Sequence, residues 1–383
     1  MANVLPMGHH RSRALVALLA LILVAIAAPT SASAASSKVP AGWVGVVASD
    51  YSLLTSATLW PQETATMRKS GVQSVRIPFY WYAMQPSNGT PAGTTFAATD
   101  KMVEAAARSG LRVLPIVVGT PKWDAKYPSV SVGFSVPKDD KPYGDFLGLL
   151  AKRYGTKGTF WSEHPDVTKR AITTWQAWNE PNLCYYWNQT GTNACKNKPF
   201  AKGFVALLKA ARTGLRKADS KGKIMLAGLP NDSWNTLAQI YKAKGRSSFD
   251  SVAIHGYTAL ASNVPKFLAK DRTVMKKYGD RKKPIYMTEF GFSSGGSAVK
   301  NKVPWNTSQS GQASRGAAAL KALAKSRKSL GIAGVYWYSW YSPEVPGSSA
   351  WEDYTGLRTA GPGGTIVSKP ALKAFSKTAK SLE

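Results

Sequence analysis

The chain is poor in the residues that most often announce a chemistry. Of its 383 residues two are cysteine and four are histidine, and Asp plus Glu number 21 against 50 Lys plus Arg. Two cysteines cannot frame a disulfide scaffold, and no C-x-x-C or H-x-x-x-H spacing accompanies them to suggest zinc. Glu163 and His164 do not extend to H-E-x-x-H. No P-loop or Rossmann glycine pattern occurs, so neither a nucleotide cofactor nor a metal is implied. Repeats and low-complexity tracts are also missing, and one domain is the simplest count.

Long apolar runs are lacking too, except at the N-terminus. There Arg11 and Arg13 precede the run Ala14 to Ala28, and Ala32, Ser33 and Ala34 follow. This is the order of a bacterial-type signal peptide with an A-x-A cleavage site, and the run is short for a membrane span of about 20 residues. Residues 1–34 are therefore read as the leader of a secreted protein without a membrane span after cleavage, 35–42 as a linker and 43–383 as the folded domain. In an exported chain Cys184 and Cys195 read as one disulfide closing a loop, with two free thiols as the alternative.

What is abundant is positive charge. The leader holds two arginines and no acid, so the net charge falls only from +29 to +27 without it. Such a surface suits nucleic acid, anionic membrane or an acidic polymer. The lysines are dispersed in KGK, KAK, RKK and KNK, outside any zinc-finger, RRM or helix-turn-helix pattern. No nucleic-acid partner is expected, and an anionic cell surface or acidic polysaccharide is favoured. Nothing in the sequence speaks to the oligomeric state.

Beyond the linker, apolar β-branched runs alternate with segments of helical period. Strands are expected at 42–49, 72–81, 111–121, 173–182, 223–230, 249–258, 283–292 and 334–342, and helices at 61–71, 97–110, 145–155, 200–219 and 312–329. Eight strands in alternation with helices, without a linker, predict a closed (β/α)8 TIM barrel of the α/β class, as a single domain.

Active sites of such barrels lie at the C-terminal ends of the strands, and the unusual residues here collect at those ends. Arg76 lies in the second strand and Trp81 ends it. Trp123 follows the third, Asn179 and Glu180 end the fourth, and His255 and Tyr257 the sixth. Glu289 ends the seventh, and Trp337 and Trp340 fall in the eighth. A carboxylate at the end of a buried strand is costly without a partner or a task. Two of them across a barrel mouth, about 5 to 5.5 Å apart among aromatic platforms, suit a retaining glycosidase. Sugars offer apolar faces for Trp and Tyr and a rim of hydroxyls.

The motifs N-E-P after the fourth strand, H-x-Y after the sixth and T-E-F-G in the seventh resemble the clan A glycoside hydrolases near families 5 and 39, in order from about Trp43 to the C-terminus. The resemblance implies Glu180 as general acid/base and Glu289 as nucleophile. It implies Asn179 at the sugar 2-hydroxyl, His255 and Tyr257 hydrogen-bonded at the nucleophile, Arg76 beneath it, and Trp337 or Trp340 as the sugar platform. A nucleophile must stay ionised, which Arg76 and Tyr257 favour, whereas an acid must hold a proton. The implied activity is hydrolysis of β-linked oligo- or polysaccharides, acidic ones included. The alternative is a catalytically idle carbohydrate-binding barrel at the cell surface. Gly291 to Gly295 fits G-x-S-x-G, but every histidine precedes Ser293, against the chain order of an α/β-hydrolase triad.

Overall fold

The computed structural model describes residues 38–383 except 195, 231, 300–302 and 346. The expected leader and one half of the expected disulfide, Cys195, lie outside the described residues. Eight parallel strands close into a barrel, with β1 paired to β8 from Val44↔Val335 to Val47↔Tyr338. They are β1 (Val44–Val47), β2 (Ser74–Tyr80), β3 (Arg112–Val118), β4 (Thr174–Ala177), β5 (Lys223–Leu229), β6 (Ser251–His255), β7 (Ile285–Phe290) and β8 (Ile332–Tyr338).

A helix follows each strand. These are α1 (Leu59–Lys69), α2 (Ala97–Arg108), α3 (Lys141–Tyr154), α4 (Ala201–Ala218), α5 (Ser233–Lys242), α6 (Val264–Lys277), α7 (Gln309–Leu330) and α8 (Pro370–Ser381). Their limits follow local chemistry. Ser308 caps α7 by accepting from the Gly311 N–H, and the helix ends at Gly331 in the left-handed conformation. In α4, Phe204, Leu207, Leu208, Ala211 and Leu215 make one buried stripe at helical spacing. Helices α5, α6 and α8 add to those legible from periodicity. A small antiparallel pair, β9 (Arg358–Ala360) and β10 (Ile366–Ser368), lies between β8 and α8.

The core has two parts. Side chains on the outer face of the sheet, such as Ile77, Phe79, Val117 and Trp175, pack with the helices. Inside the barrel, Val47, Leu114, Met225, Ala253 and Tyr336 form a separate layer. Alternation on β8 shows both: Tyr336 joins the inner layer, while the Trp337 ring lies against Phe290, Phe292 and Phe375.

One fully buried carboxylate lies on a helix. Asp271 of α6 accepts from the Ser233 hydroxyl at 2.7 Å through one oxygen, and its other oxygen has no partner among the described residues. Burial pushes this carboxyl up from 3.8 to about 7. As pH rises from 4 to 7 the unfolded chain ionises Asp271 while the folded chain keeps the proton, so stability falls by about 1.4 kcal/mol per pH unit from this group. Asp271→Asn keeps the acceptor and removes the titration. Its thermal stability is expected to gain on the parent steadily from pH 4 to 7 and to hold the gain at pH 8; parallel melting curves across that range would refute the assignment.

Candidate active site

The end of β4 sets the site. The ladder stops at Ala177, before the expected strand end at Asn179 to Pro181, because Trp178 (φ 72°) and Glu180 (φ 38°) both adopt the left-handed conformation. Past Trp178 only an isolated bridge of Asn179 to Gly228 remains, and non-glycine residues held in this conformation are characteristic of functional sites. The turn is held in place by the Trp178 indole, which donates to the Tyr186 carbonyl at 2.7 Å. The Glu180 N–H donates to the Gly228 carbonyl of β5 at 3.1 Å. The turn carries Asn179 and Glu180 onto the barrel mouth, with Glu180 partly exposed.

Glu289 of β7 is held from both sides. Arg76, buried in β2, donates Nη1 to Glu289 Oε1 at 2.7 Å, Nε to Gln176 Oε1 at 2.6 Å and Nη2 to Asn179 Oδ1 at 3.1 Å. The charged residue inside a strand thus finds a carboxylate in the mouth, together with two amide oxygens that fix its plane. The Tyr257 hydroxyl donates to Glu289 Oε2 at 2.6 Å. Burial, then the charge of Glu289, pushes that phenol well above its ordinary pKa, so it keeps its proton as a donor. Gln176, unmarked in the sequence reading, carried the same signal as Arg76: a polar residue within a buried strand.

His255 sits between the two acids. Its Nδ1 is 2.6 Å from Glu180 Oε1 and its Nε2 is 3.3 Å from Glu289 Oε1. The resemblance implied that His255 and Tyr257 both serve the nucleophile side. Here Tyr257 does so, while the hydrogen bond of His255 goes to Glu180. One ligand atom from each of Glu180, His255 and Glu289 falls within a mutual 4.8 Å, a spacing that would suit a cation as well as a reacting pair. The guanidinium of Arg76 and the hydroxyl of Tyr257 already occupy both oxygens of Glu289, so a cation would have to compete with a fixed positive charge. The arrangement is better matched to proton transfer and nucleophilic attack than to metal binding.

Gly228 makes room for the histidine. A Cβ at this position would stand 1.9 Å from His255 Nε2, so a methyl group there must displace the ring. Gly228→Ala is expected to fold with a lowered melting temperature and to lose activity about 100-fold or more, since misplaced catalytic groups cost rates of this order. Activity within a few-fold of the parent would show that the position of His255 is not critical.

The tryptophans expected as a sugar platform lie in packed positions. Trp337 and Trp340 are both fully buried: Trp337 packs outward and donates to the Thr355 carbonyl, and the Trp340 indole donates to Glu63 at 2.7 Å. Trp81 is also buried, against Tyr143 and Phe146, and Trp123 stands edge-on to it. Rings packed around Tyr257 include Trp351 at 4.9 Å, Trp305 at 5.2 Å and Tyr338 at 6.2 Å between centroids. Trp305 also packs on Trp351. On the opposite wall Tyr51, Tyr80 and Tyr82 follow one another, and burial and the charges of Glu180 and Glu289 raise the Tyr186 phenol. Trp187 is buried against Trp178 and Phe204. Ser293 of the G-x-S-x-G segment is buried and accepts from the Gly295 N–H.

No protein-family model and no curated protein sequence matches the chain. Solved structures do resemble it. A family 39 glycoside hydrolase from the gut symbiont Bacteroides cellulosilyticus WH2 aligns with TM-score 0.62 and 17% identity over 90% of this chain and 64% of that one. A monomeric β-xylosidase from Caulobacter crescentus CB15 aligns with TM-score 0.61 and 15% identity over 88% and 68%. This chain therefore spans about two thirds of the length of these two. A β-glucosidase from Thermotoga maritima aligns with TM-score 0.63 and 10% identity over 90% and 99%. The chain thus shares the (β/α)8 fold of these glycoside hydrolases.

Proposed function

We propose that the protein is a secreted retaining glycoside hydrolase that cleaves O-glycosidic bonds of β-linked glycans by double displacement. One observation carries the reading: two carboxylates lie within 4.8 Å of each other and of His255, and only one of them is clamped by an arginine and a tyrosine. A close pair of this kind leaves no space for the water that an inverting mechanism activates between carboxyl groups about 6.5 to 9.5 Å apart. Glu289, ion-paired with Arg76 at 2.7 Å, attacks the anomeric carbon, while Glu180 gives its proton to the departing glycosidic oxygen. Glu180 then takes a proton from water, whose oxygen displaces Glu289 and restores both carboxyl groups.

Asn179 has its amide oxygen committed to Arg76. Its NH2 group is therefore left to donate to a sugar hydroxyl. The rings of Tyr338, Trp305 and Trp351 offer faces for stacking a pyranose. The net charge of +27 left without the leader favours glycans that carry acidic groups or lie in an anionic cell wall. Among the described residues no helix is long and apolar enough to cross a membrane. Export rests on the leader sequence, and N-terminal sequencing of the protein released by cells should begin near Ala35.

The decisive experiment is hydrolysis of a panel of aryl β-glycosides followed by proton NMR, in which the first-formed sugar is expected to be the β anomer. An α anomer appearing first would rule out retention. Glycan binding without turnover of any member would favour the carbohydrate-binding alternative.

A further inference from the structure

The end of the barrel opposite the glutamates contains a cavity. It has a volume of about 390 Å3 and is lined by residues at or near the starts of strands, among them Ser74, Arg112, Thr174 and Tyr286. Its depth is set by the inner layer, since Leu114, Met225 and Tyr336 belong to both. Barrels of this class are ordinarily packed with side chains through their interior. Here the small residues Gly42, Ser74 and Ala333 leave space at the lower end.

The charges around this space are unbalanced. Arg112, Lys169 and Arg170 line it, and no carboxylate does among the described residues. Other arginines of the chain are answered: Arg108, Arg153, Arg246 and Arg358 each pair with an acid. Neither Arg112, Lys169 nor Arg170 forms an ion pair with another described residue, and the Arg170 Nε is buried without a hydrogen-bond partner. Arg112 and Lys169 are exposed at the rim and Arg170 is half-buried, and three cations around one concave space focus a positive potential there. Polar hydroxyls stand beside them, and the Ser74 hydroxyl donates to the Gly42 carbonyl at 3.1 Å.

We propose that this cavity is an anion site that takes a compact phosphate-class oxyanion, either free or carried on a phosphodiester polymer. A single carboxylate is planar and monovalent and satisfies one guanidinium fork. A tetrahedral oxyanion presents oxygens out of one plane and answers separate cations at once, as a multiply charged ion when free and as one of a row of single charges on a phosphodiester polymer. The inference does not depend on glycosidase activity at the other end of the barrel.

Calorimetric titration of the full chain with inorganic phosphate, at ionic strength held constant with chloride, tests it. Saturable binding of one phosphate per chain is expected, weakened about tenfold or more in Arg112→Gln and in Arg170→Gln, as for loss of a hydrogen bond to a charged group. A control of equal charge, Lys277→Gln at the exposed end of α6, should bind as the parent does. If Arg170→Gln fails to fold, Lys169→Gln on the exposed rim provides the second variant and should bind several-fold more weakly. Absence of saturable binding, or equal weakening by the control, overturns the proposal. Competition between phosphate and a soluble phosphodiester polymer assigns the source: displacement of bound polymer by phosphate indicates a polymer-borne group, and indifference to the polymer indicates a free ion.

Discussion

Glu289→Ala is expected to lower the hydrolysis of every aryl β-glycoside by about ten-thousand-fold or more, in line with removal of a nucleophile that acts as one unit with its base. The side chain lost is the one held at 2.7 Å by Arg76 and at 2.6 Å by Tyr257, so no neighbouring carboxylate can take its place. Truncation leaves a small cavity beside a fixed cation, and a small anion such as azide should enter it. The rescued product would be an α-glycosyl azide, formed by a single displacement. Glu180→Ala should behave differently. Loss of a general acid costs roughly 100- to 10,000-fold, and the loss should be large for poor leaving groups and small for activated aryl ones, whose departure needs no proton. Equal effects of both variants on all substrates would sink the assignment of unequal roles.

Arg76→Leu is expected to be the most damaging single substitution for stability. Arg76 is buried and supplies donors to Glu289, Gln176 and Asn179 together. Removing one partner of a buried ion pair leaves an uncompensated charge and costs about 3 to 5 kcal/mol. The variant should unfold at markedly lower urea and lose activity as well. The double variant Arg76→Leu with Glu289→Gln carries no buried charge at the pair and should recover part of the stability while remaining inactive. If the double variant is no more stable than Arg76→Leu alone, the loss comes from packing and not from the orphaned carboxylate.

The legibility of the site varied residue by residue. Arg76, Glu180 and Glu289 stood out because a charge within or at the end of an apolar strand needs a partner, and the tertiary structure brings Arg76 to Glu289 and Glu180 to His255. Gly228 gave no signal, because nothing local marks which glycine of a strand faces a histidine ring on the next one. Trp351 lies beyond β8, outside the β/α pattern that organised the reading, and only the fold returns it to Tyr257.

What the sequence by itself determined is the barrel and the identity of its charged inward residues. Apolar period and turn residues act over a few positions, so alternating strands and helices can be read locally, and the closed eight-strand order follows from them. What only the tertiary structure decided is the phase of each strand. Strands of a parallel barrel are covered on both faces, so there is no polar side to tell inward from outward. On β8 the stretch Tyr336, Trp337, Tyr338 could have turned either way. Packing against α8 takes Trp337 outward to Phe375 and leaves Tyr338 facing Tyr257. The same long-range packing gives His255 to Glu180 and leaves an open, basic cavity beneath the inner layer.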